Sequence, residues 1–133
     1  MPKTLTLKRS SPRDPIIVPL WAFDPVSKNG KQIATQLDTG NDHTCVRKDV
    51  LDAIGAKATG KPVVVHGVTG SARARVATLM FRLDMDRGGQ VQINNHEVAV
   101  VPSLSCEALL GRDFLEFFDV TISRDGTTIL TCD

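Results

Sequence analysis

The chain has 133 residues, 41% hydrophobic and 23% charged, which are the proportions of a folded domain and exclude a disordered or fibrous chain. One hydrophobic core fits this length and two do not. Sixteen basic residues against fifteen acidic ones leave a formal charge of +1, so electrostatics give no reason to expect nucleic acid or an anionic membrane as partner.

Residues 1–15 are polar and contain Pro12 and Pro15, which reads as an arm or a short edge strand that can serve in subunit contact. Met1-Pro2-Lys3-Thr4 lacks the apolar core of a signal peptide, and no apolar run approaches bilayer length, so a cytoplasmic protein is expected. The core is expected over residues 16–123. Ile16–Phe23 and Ile33–Leu37 are predicted strands, with Ser27-Lys28-Asn29-Gly30 between them offering the Asn-Gly dipeptide of a type I′ hairpin turn. From Arg47 to Gly55 the spacing of Val50, Leu51 and Ile54 predicts one or two helical turns stopped by glycine. Val63–Val65 and Val76–Leu83 flank His66–Ser71, a second hairpin with glycines at its tip. Asp86-Arg87-Gly88-Gly89 predicts a turn, followed by two short strands, Val91–Ile93 and Glu97–Val101, closed by Pro102. Phe114, Leu115 and Phe118 share one face of a second short helix. Asp119–Ser123 and Thr127–Thr131 make a terminal hairpin around Arg124-Asp125-Gly126, with residues 124–133 as its last part. The fold class is all-β, a single domain over 1–133.

Asp38-Thr39-Gly40 follows the apolar strand Ile33–Leu37, and Gly40 permits a tight turn directly after the carboxylate. Taken alone the triplet is equally well a turn with an Asx hydrogen bond. Its context adds two features in order: the Gly67-Val68-Thr69-Gly70 hairpin and the segment Ala108-Leu109-Leu110-Gly111-Arg112-Asp113. Together with Leu37–Asp42 these resemble the catalytic loop, flap and closing helix of the retropepsins, the aspartic protease family of retroviruses and related cellular proteins. The resemblance covers roughly Leu20–Ser123.

The resemblance implies a small closed barrel with a flap hairpin, acting as a homodimeric endopeptidase in which two symmetry-related copies of Asp38 stand side by side. Two carboxylates about 4 Å apart repel by roughly 4 kcal/mol at an effective dielectric near 20, so the pair retains one proton, as aspartic protease dyads do. One member then takes a proton from an attacking water while the other polarises the scissile carbonyl. By family position, Thr39 hydrogen-bonds across the two-fold axis and Gly40 lets the substrate backbone approach. Asn41, Asp42, His43, Cys45, Gly67, Val68, Leu104 and Leu109 are implied substrate-binding residues, and Asp42 and Arg112 an ion pair bracing the loop. The expected partners are a second copy of the chain and a peptide or protein substrate.

Asn41 departs from the family, which usually has Ala, Ser or Thr there; it either hydrogen-bonds the outer oxygen of Asp38 or crowds the substrate. The rival readings are a non-catalytic dimerisation or peptide-binding module that keeps the fold, and a ligand-binding barrel in which the triplet is incidental. No metal or cofactor is expected. His43, His66 and His96 with three cysteines lack zinc-ligand spacing and read as loop and surface residues. Arg73 and Arg75 alternate on a solvated strand face. Cys45, Cys106 and Cys132 read as free thiols, with one facultative disulfide left open.

Overall fold

A computed structural model describes residues 2–67 and 70–133, without the side chains at 60, 61, 66, 67 and 70–72. Strands β1 (Lys3–Lys8), β2 (Ile17–Phe23), β3 (Gly30–Leu37) and β4 (Cys45–Arg47) precede helix α1 (Lys48–Ala53). They are followed by β5 (Thr59–Gly67), β6 (Gly70–Asp84), β7 (Gln90–Val101) and β8 (Ala108–Leu110), then helix α2 (Arg112–Leu115), β9 (Asp119–Ile122) and β10 (Thr127–Cys132).

Six strands close a barrel in the order β2-β3-β8-β4-β7-β6, with β6 returning to β2 through Trp21–Phe23 and Met80–Arg82. Strict alternation builds it: along β2, Val18, Leu20 and Ala22 are buried and Ile17 and Pro19 are exposed. Phe81, Leu79 and Leu83 from β6, Ile33 from β3 and Leu110 from β8 complete the same interior, and Phe114 of α2 plugs it. Two pairings are parallel, β3 with β8 and β4 with β7. Each needs a crossover, so the chain after β3 and the chain after β8 emerge side by side at one end.

A second sheet, β1-β10-β9, joins both ends of the chain. Leu5 pairs with Leu130, and both are buried in the barrel's own core. Residues 3–8 of the expected arm are thus an edge strand.

Three local expectations are corrected. The type I′ turn at Asn29-Gly30 does not form; β2 and β3 are joined by residues 24–29, and Lys28 is the residue with positive φ (66°). Asp24 sets that longer loop, accepting the Ser27 N–H at 3.0 Å and hydroxyl at 2.8 Å, while the Lys28 N–H reaches the Asp24 carbonyl at 2.9 Å. Gly30 is a glycine for another reason: a Cβ there would stand 2.1 Å from the Phe23 ring. Second, Val91–Ile93 and Glu97–Val101 belong to one strand, β7, bulged where Leu79 pairs with His96 but Phe81 with Ile93. Asn95, at φ 52°, takes up the extra residue. Third, the β5–β6 hairpin is longer than Val63–Val65 and Val76–Leu83, pairing as far as Gly67 and Gly70. Among the described residues no helix is long and apolar enough to cross a membrane.

Candidate active site

Asp38 stands one residue beyond β3. Its N–H continues the parallel ladder to the Leu110 carbonyl of β8 at 2.9 Å, which fixes where the strand stops and the loop begins. The carboxylate is half-buried, and Oδ1 accepts the Gly40 N–H at 3.0 Å. The Asp38 carbonyl takes the Asn41 N–H at 3.3 Å. Thr39 and Gly40 are exposed. Among the described residues a Cβ on Gly40 would meet only Asp38 Oδ1, at 3.4 Å.

The loop rests on the turn that starts α2. Asn41 gives its carbonyl to the Arg112 N–H at 2.8 Å. A Cβ on Gly111 would lie 2.7 Å from the His43 carbonyl carbon and 2.8 Å from the Asn41 and His43 oxygens, all backbone atoms, so only glycine lets the two segments meet. Thr44, fully buried, spans the same junction: its Oγ1 accepts the Gly111 N–H at 3.2 Å and donates to Asp113 Oδ1 at 2.9 Å. The Thr44 N–H also reaches Asp113 Oδ1, at 2.9 Å. Arg112 and Asp42 form an ion pair across the outside of this junction, with both side chains largely exposed.

Asn41 is buried, and its amide is engaged away from Asp38. Nδ2 contacts Cys45 Sγ at 3.6 Å and Oδ1 accepts the His43 N–H at 3.3 Å. Of the two roles open to Asn41, the bond from its amide to the outer oxygen of Asp38 is not made among the described residues; the side chain turns toward Cys45 instead. Cys45 Sγ donates to the His43 carbonyl at 3.4 Å, and burial pushes the thiol up from its ordinary value, so it stays neutral.

Cys45, Leu104 and Leu109 come together in a small apolar cluster with Ala74, Ala99, Val63, Val65 and Val101, separate from the main core. His43 and Asp42 project outward on the loop. Gly67 ends β5, and Val68 lies outside the described residues. The three cysteines are free thiols.

Sequence reasoning passed over Thr44, Asp113 and His96. His96, read there as a loop or surface residue, is on β7 with its side chain 11% exposed, and its Nε2 lies 3.0 Å from Asp113 Oδ2. The signal for Thr44 and Asp113 was present in the motifs that flank Asp38 and Gly111. For His96 the bulge at Asn95 decides, and local sequence does not show it.

Solved structures share this architecture. A retropepsin-like aspartic protease from Rickettsia conorii superposes with a TM-score of 0.69 at 19% identity, covering 99% of this chain and 93% of that one. EIAV protease in complex with the inhibitor HBY-793 gives 0.55 at 15%, covering 81% and 91%. The structure of edgp gives 0.63 at 10%, covering 98% of this chain and 45% of that longer one. At such identities these likenesses show the fold. A sequence search of curated proteins found no match. Residues 25–116, well over half the chain, match the family described as gag-polyprotein putative aspartyl protease. That span runs from the β2–β3 loop through the Asp38 loop and the Gly111 turn, and by it the chain belongs to this aspartyl protease family, with the retropepsin fold.

Proposed function

We propose that the protein is an aspartic endopeptidase that works as a homodimer, each subunit contributing Asp38 to a two-carboxylate site. The observation that carries this reading is the placement of Asp38: a half-buried carboxylate on a loop whose far side is locked to the Gly111 turn. A second copy related by a two-fold axis brings the other carboxylate. The pair shares one proton, so one member acts as base toward water and the other as acid toward the peptide carbonyl. Water adds to the carbonyl carbon, its proton passes to the ionised carboxylate, and collapse of the tetrahedral intermediate delivers a proton to the leaving amine.

In this reading the β5–β6 hairpin is the flap, and an extended peptide lies between it and the Asp38 loops as an added strand. The apolar cluster around Cys45, Leu104 and Leu109 supports a preference for apolar side chains near the cleaved bond. The inward-turned amide of Asn41 supports the catalytic reading over a non-catalytic dimerisation or peptide-binding module.

The test is cleavage of a mixed peptide library between about pH 4 and 7, wild type against Asp38→Asn. Wild type is expected to cleave and the variant to be inert; equal activity in the two sinks the assignment of Asp38.

A further inference from the structure

Asp113 is the second residue of α2, and its carboxylate turns inward to join three separate segments. Oδ1 takes both protons that Thr44 offers, from N–H and hydroxyl, at 2.9 Å each. Oδ2 lies 3.0 Å from His96 Nε2 on β7. A carboxylate only accepts, so the bond requires a proton on Nε2. Burial alone raises the Asp113 carboxyl, and the bonds from His96 and Thr44 more than offset it, holding the group below its ordinary value.

The His96 ring is enclosed by Phe81 at 5.9 Å, Phe114 at 5.9 Å and Phe117 at 6.0 Å between centroids, each edge-on. Among the described contacts Asp113 is the charged group facing it. Glu97, next along β7, is exposed on the opposite face. The path from this ring to the site is short: Asp113 holds Thr44, Thr44 Oγ1 holds the Gly111 N–H, and the Leu110 carbonyl beside it holds the N–H of Asp38. An apolar residue at 96 would pack in the same aromatic surroundings, so packing alone does not call for an imidazole there.

We propose that His96 and Asp113 are positioning residues for the Asp38 loop, the proton state of the His96 ring setting how firmly Thr44 and the Gly111 turn are held beneath it. The proposal rests on Asp38 as the working carboxylate for its effect on rate, and on geometry alone for its effect on the loop. Protonating the second ring nitrogen adds a full charge opposite Asp113 and strengthens the hold; deprotonation leaves a neutral donor.

Two readouts separate these levels. In labelled wild-type protein followed by NMR from about pH 4 to 8, the backbone amides of Thr44 and Gly111 are expected to titrate with the His96 ring midpoint, and in Asp113→Asn to lose that inflection. In kinetics, His96→Phe is expected to lower kcat about tenfold with KM little changed, whereas His96→Gln, which keeps a donor near the Nε2 position, restores much of the rate without the pH inflection. Amides that ignore the His96 titration, or a His96→Phe enzyme with wild-type kcat and pH profile, overturn the proposal. If the amides follow His96 but the wild type cleaves nothing, the coupling stands and the protease reading fails.

Discussion

Gly40 and Gly111 lie on opposite sides of the Asp38 loop and do unlike work. Gly111→Ala drives a methyl into the His43 and Asn41 backbone at 2.7–2.8 Å, and the overpacking is expected to cost about 1–3 kcal/mol in urea unfolding along with activity. Gly40→Ala meets only Asp38 Oδ1 at ordinary contact distance. It is expected to unfold like the wild type yet bind peptide poorly, seen as a raised KM. Asp113→Ala strips Thr44 of two hydrogen bonds in a fully buried position, at about 1–3 kcal/mol. Asp42→Asn, which breaks an exposed pair, should move stability by less than about 1 kcal/mol. The sign of the acid response follows from Asp113: because its carboxyl is depressed in the folded protein, its contribution is complete above the unfolded value near ~3.9 and fades as pH falls through the lower folded value. Asp113→Asn is therefore expected to flatten the loss of stability below about pH 4, measured as denaturant midpoints across that range.

At the scale of elements, the barrel was readable wherever burial follows a simple period. Val18, Leu20 and Ala22 announce β2, and the run before Asp38 announces β3. The ion pair of Asp42 with Arg112 was legible only through the resemblance that the two short motifs carry, and the close approach that requires glycine at 111 showed only in the structure. His96 was hidden because a strict alternation from the buried Ile93 sends residue 95 inward and 96 outward. The bulge inserts one residue, resets the phase, and brings His96 opposite Leu79 on the inner face. The Asn29-Gly30 turn failed for a related reason, since the Asp24 side chain organised its own loop before the dipeptide was reached. Deleting Asn95 removes the extra residue and leaves His96 two positions from the inward Ile93, so His96 is expected to stay inside against Asp113, readable as a Thr44 amide chemical shift close to that of the wild type.

For the whole molecule, the proposed chemistry is a property of two chains. One Asp38 per subunit makes activity depend on protein concentration: specific activity is expected to fall on dilution along with the dimer fraction seen by sedimentation, and a productive interface should bury at least about 1,000 Å². The sheet that ties β1 to β10 carries a separate consequence, in time rather than space. Lys3 through Lys8 find their partners at Thr127 through Cys132, so β1 has nothing to pair with until β10 has left the ribosome. Pairing so distant in sequence is slow, on the order of milliseconds to seconds. Through that interval the nascent chain carries Leu5 uncovered, and a maturing chain is more exposed to misassociation than a finished one.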